Sequence, residues 1–197
     1  MNKLKIILAI ILILIGVVGR FVLVSYIRIP NFEIITALAL ISGIYLGGVY
    51  SVAIPLSIIF LSDMVIGNNY IFIFTWTAFA LIGLFGRLYG KSRIADCGLR
   101  ITKNNFIKRI TESIGLGIIS SVFFYLFTNF GWWLMSGMYE YTFSGLMKCY
   151  YMGLPFFRNN LIGNLIFVPA SIAIFSKIIY SAELRNIIVI RKENSQT

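Results

Sequence analysis

The sequence predicts an all-α membrane protein, a polytopic bundle of six transmembrane helices forming one integral-membrane domain over residues 1–197. Hydrophobic residues make up 59% of the chain and charged residues 12%, whereas a soluble domain is about 45–50% apolar and about 25% charged. Apolar runs also reach the roughly 20 residues with which a helix crosses a bilayer. The alternating segments of about ten residues that build a membrane β-barrel are absent. A soluble enzyme, a disordered protein and a disulfide-rich secreted domain are excluded.

Six apolar segments are the predicted spans. They cover residues 4–27, 34–48, 49–66, 70–89, 110–133 and 159–180. Gly47 and Gly48 connect the second span tightly to the third. Residues 91–109 form a basic loop, and residues 137–157, of mixed character, form an outer loop or a short helix. The first segment is expected to be retained, because it is longer than the apolar part of a signal peptide and shows no small-x-small cleavage site.

Lysine and arginine predict the orientation of these spans. With the N-terminus in the cytoplasm, the cytoplasmic segments hold most of the basic residues, as is usual in membrane proteins. The basic loop 91–109 is either a determinant of this topology near anionic headgroups or a docking surface for a cytoplasmic partner. The three tryptophans, Trp76, Trp132 and Trp133, lie toward the outer face, where aromatic belts occur. We expect a multi-pass protein of the cell membrane, embedded in the lipid bilayer, with N and C termini cytoplasmic.

The remaining composition narrows the chemistry. The chain has no histidine, and its two cysteines, Cys97 and Cys149, are predicted to lie on opposite sides of the membrane, so no disulfide is expected. Histidine-based catalysis and zinc sites of histidines or four thiolates are excluded. No hydrolase or protease motif is present, so we expect no enzyme, no metal and no cofactor. The net charge of +10 is attributed to topology, because no nucleic-acid-binding module is present and no nucleic-acid partner is expected.

Charge inside the spans is the most informative signal, because it is costly in lipid unless it is paired or hydrated. Arg20 and Asp63 lie at similar depths in the first and third spans, about 20 Å from the cytoplasmic ends at the helical rise of about 1.5 Å per residue. Their placement predicts a salt bridge or a shared water cavity in the outer third of the bundle. A purely structural ion pair without a ligand is the alternative.

The fifth and sixth spans carry polar side chains at helical spacing. Ser121, Tyr125, Thr128, Asn129, Trp132 and Ser136 share one face of the fifth span, which is expected to point inward. In the sixth span, Asn160 and Asn164 stand one turn apart, and Arg158 lies near its outer end. Amides both donate and accept hydrogen bonds, so these residues either bind a ligand or join helices within the bundle.

Small residues mark the second span. Thr36, Ala39, Gly43 and Gly47 form a stripe on one side of the helix, and Gly43 and Gly47 make a GxxxG pattern. Such stripes allow helices to approach closely. We expect packing within the bundle, with packing onto a partner protein as the alternative.

Several short motifs in and around the spans are distinctive. They are Pro30-Asn31-Phe32, Thr36-Ala37-Leu38-Ala39-Leu40, Leu61-Ser62-Asp63, Thr128-Asn129-Phe130-Gly131-Trp132-Trp133, Gly137-Met138-Tyr139 and Pro155-Phe156-Phe157-Arg158-Asn159. They resemble an uncharacterised family of small six-span prokaryotic membrane proteins, and the resemblance covers about residues 16–168. The size and layout of that family are similar to those of the S components of energy-coupling-factor vitamin transporters.

The likeness to S components implies a small molecule bound near the outer face, and a transmembrane partner with ATPase subunits. S components often dock their partner through an AxxxA pattern in the first span. The first span here has Ala9, Gly16 and Gly19 but no AxxxA. The sequence also has no ATP-binding motif, so any use of ATP requires another chain.

The expected function is that of a membrane-embedded binding or transport subunit for a small polar or anionic ligand. The expected substrate-binding residues are Arg20, Asp63, Asn129, Trp132, Trp133, Arg158, Asn160 and Asn164. Arg20, Arg28 or Arg158 would hold an anionic group, and the segment 137–157 would be a lid. The alternative is a structural or assembly protein whose polar residues only hold helices together. An outer pocket open to water would favour the first function, and a closed bundle the second.

Overall fold

The computed structural model describes residues 3–68, 70–97 and 103–193, and these residues form an all-α structure. Six helical elements follow one another along the described chain. They are α1 (Lys3–Val22, continued by a π-helical turn Leu23–Ile27), α2 (Ile35–Ile41, continued by a π-helical turn Ser42–Leu46), α3 (Tyr50–Ile66), α4 (Phe72–Cys97), α5 (Lys103–Met135) and α6 (Phe143–Glu193).

Four of the helices in the described chain are long and apolar enough to cross a membrane. They occupy Lys3–Ile27, Phe72–Ser92, Phe106–Met135 and Phe143–Ile178. The helices Ile35–Leu46 and Tyr50–Ile66 are apolar but shorter, and at about 1.5 Å per residue they measure about 18 and about 26 Å. Every residue of Ile35–Ile41 is buried, so α2 is covered by the other helices along its α-helical part.

Helices that follow one another in the sequence alternate in direction. Arg20 of α1 reaches Asp63 of α3 while Gly16 packs on Ile58, so α1 and α3 are parallel. Trp76 of α4 also meets Asp63, which makes α4 antiparallel to α3. Contacts of α2 with α4 and of α5 with α6 follow the same pattern, so α1, α3 and α5 end where α2, α4 and α6 begin. We call this side of the bundle the Arg20 end.

Glycines let α2, α3 and α4 approach at backbone distance. A Cβ atom on Gly43 of α2 would overlap the carbonyl of Gly83, and one on Gly83 of α4 would overlap the carbonyl of Ser51. About one and two turns after Gly83 along α4, a Cβ atom on Gly86 or Gly90 would stand 2.8 or 2.7 Å from a carbonyl oxygen of α2 or of its π-helical turn. The stripe of small residues in the second span thus packs within the bundle, as predicted.

The connection between α2 and α3 also agrees with its prediction. Gly47 and Gly48 both have positive φ angles, 63° and 57°. L-residues with a side chain rarely adopt this backbone region, and glycine does so without steric cost. The two glycines therefore turn the chain directly from α2 into α3.

The helix boundaries differ from the sequence prediction in two places. The segment 137–157 is not a separate loop or short helix, because α6 begins at Phe143 and continues without a break past Pro155 and Pro169. The helix α5 begins at Lys103, well before residue 110, and α4 continues to Cys97. Part of the predicted loop 91–109 is therefore helical, and residues 98–102 lie outside the described residues. Hydropathy marks where a helix becomes polar, and a polar helix can continue beyond that point.

Candidate functional site

Two cavities of about 410 Å³ each adjoin at the Arg20 end. They have Asn31, Ile71 and Thr128 in common. The first, which we call the charged cavity, is further lined by Arg20, Glu33, Asp63, Ile66, Gly67, Asn68, Thr75 and Phe124. The second, which we call the aromatic cavity, is further lined by Asn129, Trp132, Met138, Tyr139, Cys149, Met152, Gly153 and Phe156. Each volume is within the range of about 300–1,000 Å³ typical of ligand pockets.

Arg20 and Asp63 form an ion pair in the wall of the charged cavity, as the sequence predicts. Their side chains are 15% and 7% exposed. The guanidinium also donates to the Ser62 hydroxyl at 2.6 Å, and the Trp76 indole Nε1 donates to Asp63 Oδ2 at 2.9 Å. The Asp63 carboxylate thus accepts from two side chains on two different helices, which fixes the pair in one position.

Glu33 brings a second carboxyl group to the charged cavity. It lies in the connection between α1 and α2 and is partly buried. Among the described residues, no side chain forms a hydrogen bond or ion pair with it. Burial raises its pKa from 4.5 to about 7, an increase that nearby Arg20 opposes and Asp63 reinforces. The group is therefore close to half ionised at neutral pH.

The connection carrying Glu33 is held against α6. Asn31, whose carbonyl accepts a hydrogen bond from Asn160 at 3.4 Å, has a φ angle of 59°, a left-handed conformation that asparagine tolerates better than most residues. Asn159 donates to the Pro30 carbonyl at 3.1 Å. Asn160 was predicted to bind ligand, but it is 2% exposed and lines neither cavity. In this arrangement, it positions the segment that contributes Asn31 and Glu33.

The aromatic cavity lies between α5 and the beginning of α6. Asn129 and Trp132 of α5, two of the residues predicted to bind a ligand, line it. The Asn129 amide donates to the Tyr125 carbonyl at 2.8 Å, and its oxygen lies so close to Gly153 that a Cβ atom there would overlap it. Cys149 is a free, buried thiol in the same wall. The Cys97 side chain lies outside the described residues.

Asn164 connects α5 to α6. It is fully buried, and its amide donates to Ser121 Oγ at 2.8 Å and to Asn160 Oδ1 at 3.0 Å. Asn164 lines neither cavity. Its geometry matches the alternative predicted for the asparagines, which is hydrogen bonding between helices.

Three further candidate residues lie away from both cavities. Trp133 donates to the Glu140 carbonyl at 2.9 Å and stacks edge-on against Tyr141. Arg158 is exposed, and Arg28 is exposed and donates to the carbonyl of Ser25. The segment 137–157, predicted to be a lid, lines the aromatic cavity with two residues that precede α6 and four that belong to it: Met138, Tyr139, Cys149, Met152, Gly153 and Phe156.

Several cavity residues were not predicted as binding residues, notably Asn31, Glu33 and Thr128. Thr128 belongs to the polar stripe of the fifth span, and this position could have identified it as a candidate binding residue. Glu33 is one of only seven acidic residues in the chain and directly precedes the second span. Within the described chain, no group of three or more Cys, Asp or Glu side chains is placed to hold a metal ion.

Comparison with known proteins gives the family but no characterised relative. A family model described as a family of unknown function (DUF6580) matches residues 1–185. The chain therefore belongs to this family. Neither a curated protein nor a solved structure matches it.

Proposed function

We propose that this member of a family of unknown function is a membrane-embedded binding or transport subunit for a small polar molecule. The observation that carries the proposal is the pair of adjoining cavities at the Arg20 end, where charged, amide and aromatic side chains converge. The aromatic cavity has mainly apolar walls with a few polar groups, which is typical of small-molecule sites, and the charged cavity adds ionisable groups beside it. Four of the proposed binding residues, Arg20, Asp63, Asn129 and Trp132, line these cavities.

The chain crosses the membrane six times in this proposal, with both termini in the cytoplasm. Four helices have the length of a span. The two shorter ones run between the same two ends of the bundle, and α2 is enclosed by its neighbours. The Arg20 end then faces outward, because the basic residues lie mainly toward the opposite end. Ligand would enter the cavities from outside the cell.

A layout like that of S components would connect this site to a transport cycle. The proposal therefore includes a transmembrane partner and ATPase subunits as separate chains. It assigns substrate binding to the chain described here and no enzymatic activity. The absence of AxxxA from the first span means that such a partner would use a different surface for docking.

A structural or assembly role is the second candidate, and Asn164 favours it. Its amide joins α5 to α6 and lies outside both cavities. Hydrogen bonds of this kind are common between membrane helices. The two candidate functions make different predictions for Asn129 of α5, which lines the aromatic cavity.

The experiment is a thermal-shift screen of the protein purified in detergent against vitamins, nucleobases, amino acids and their precursors. A ligand that binds only the folded state raises the melting temperature. We expect at least one compound to do so, and its effect to be lost in the Asn129→Leu variant. If no compound shifts the wild-type protein, and Asn129→Leu fails to accumulate in the membrane, the structural function is supported instead.

A further inference from the structure

We infer that the site takes an organic cation, a molecule with a protonated amine attached to an aromatic ring, with the amine in the charged cavity and the ring in the aromatic cavity. The inference rests on the proposed function and specifies its ligand. It reverses the sequence-based expectation that Arg20 holds an anionic group.

The charge of Arg20 is already matched within the protein. Its guanidinium pairs with Asp63 and donates to Ser62, while Trp76 holds the other carboxylate oxygen. An anionic ligand at Arg20 would have to compete with Asp63 or leave that carboxylate unpaired in a buried position. Leaving a buried charge without its partner is strongly unfavourable. Arg20 is therefore poorly placed to attract an anion.

Glu33 is the other ionisable side chain that lines the charged cavity. The charged cavity is lined by one basic side chain, Arg20, and two acidic ones, Asp63 and Glu33. When Glu33 is ionised, these three side chains sum to one negative charge. No described side chain forms a hydrogen bond or ion pair with the Glu33 carboxylate. A ligand ammonium can supply both, and charge-assisted hydrogen bonds of this kind are stronger than neutral ones.

The adjoining cavity supplies a surface for a ring. Trp132, Tyr139 and Phe156 all contribute to its wall, together with the Asn129 amide. Aromatic walls favour planar groups through stacked and edge-on contacts. Because Asn31, Ile71 and Thr128 border both cavities, one molecule can place its amine beside Glu33 and its ring beside Trp132.

The test uses three probes that share an indole ring and differ in charge. They are tryptamine, which is a cation, tryptophol, which is neutral, and indole-3-acetate, which is an anion. Binding is measured by calorimetry on the purified full-length protein. We expect tryptamine to bind at least about tenfold more tightly than the other two at pH 8.

The pH dependence identifies the group that recognises the amine. Tryptamine stays protonated between pH 6 and 8, as an alkylamine does. Glu33, whose pKa is about 7, ionises over this range in the presence of Arg20 and Asp63. Affinity for tryptamine is therefore expected to rise about tenfold from pH 6 to pH 8. In Glu33→Gln, a neutral variant of the same shape, the affinity should be weak at both pH values.

Glu140→Gln is the matched control. Glu140 is an exposed acid at the same end of the bundle and lines neither cavity. This variant should retain both the affinity and its pH dependence. Equal losses in the two variants would mean that only the overall surface charge attracts the probe, and would overturn the inference.

The inference and the proposed function can fail separately. If indole-3-acetate or tryptophol binds as tightly as tryptamine, the site exists but does not select a cation, and only the inference is overturned. If none of the three probes binds, the inference is also overturned. The proposed function then stands only if the wider thermal-shift screen yields a ligand of another class.

Discussion

A buried ion pair depends on both of its members, and Arg20 and Asp63 illustrate this dependence at the scale of single residues. Both side chains are largely buried, and each has a further hydrogen-bonding partner of its own. Removing one member leaves the other as an unpaired buried charge, whereas replacing both by apolar residues leaves none. The ion pair therefore contributes to folding stability mainly because it avoids the cost of an unpaired buried charge.

We expect Asp63→Ala to destabilise the protein by about 3–5 kcal/mol, the usual cost of breaking a buried pair from one side. The double variant Arg20→Met with Asp63→Leu should lose less than Asp63→Ala alone, because no charge is left unpaired. Melting temperatures of the variants in detergent provide the comparison. If the loss in the double variant equals the sum of the losses in Arg20→Met alone and Asp63→Leu alone, the two residues are not coupled.

Glu33 predicts a pH dependence of stability. Its pKa is about 7 in the folded protein and 4.5 without the fold, so between these values the unfolded chain binds fewer protons at this site. Folding stability then decreases as pH rises from about 4.5 to about 7, by up to about 3 kcal/mol. The melting temperature of Glu33→Gln should decline less over this range than that of the wild type. Parallel curves for the two proteins would contradict the assignment.

The sequence was sufficient to predict the Arg20–Asp63 pair but not the role of Glu33. Two opposite charges at similar depth in two spans are costly in lipid unless they are paired or hydrated, and an ion pair between them lowers the cost of both. Glu33 belongs to a connection, and its position depends on the left-handed backbone at Asn31 and on hydrogen bonds from Asn159 and Asn160. Those long-range contacts leave no local pattern in the sequence.

At the scale of the helices, close packing of α4 against α2 and α3 depends on glycine. We expect Gly83→Ala to reduce stability by more than about 1 kcal/mol, because its Cβ atom would overlap the Ser51 carbonyl. Gly115→Ala on α5 is the matched control, since a Cβ atom there meets nothing within 4 Å. The control should be neutral or stabilising, as alanine favours helix more than glycine. Equal effects of the two substitutions on the melting temperature would refute the packing.

The two asparagines of α5 and α6 are expected to separate binding from assembly. Asn164→Leu removes two hydrogen bonds between buried groups and should lower stability by about 1–3 kcal/mol. Asn129→Leu should leave stability nearly unchanged and abolish binding of a compound found in the screen. Thermal melting and ligand titration of both variants provide the comparison. Loss of folding in Asn129→Leu would indicate that it, too, only joins helices.

Hydropathy predicted the existence of the helical segments better than their ends. The apolar part of α5 begins near residue 110, but the helix begins at Lys103. Similarly, the mixed composition of 137–157 suggested an interfacial segment, yet most of it belongs to α6. In both places the backbone continues as a helix through polar residues, because helix formation and membrane burial are governed by different properties of the sequence.

At the scale of the whole molecule, alternation of helix direction brings the site together. Arg20, Asp63 and Thr128 lie near the last turns of α1, α3 and α5. The first and the last of them are more than a hundred residues apart in the sequence. The sequence predicted a convergence of polar residues toward one side. It did not distinguish residues in cavities from those joining helices, because both are polar and both face inward.

The measurement that tests the proposed binding function most directly is the accessibility of Thr128, which lines both cavities. In a protein whose two cysteines are replaced by alanine, Thr128→Cys is treated in intact cells with a small, membrane-impermeant methanethiosulfonate. Ser121→Cys is the matched control, since Ser121 is buried on the same helix and lines neither cavity. We predict modification at residue 128 and none at residue 121. If residue 128 stays unmodified in both intact and permeabilised cells, the bundle is closed, and a water-accessible binding site at the Arg20 end is contradicted.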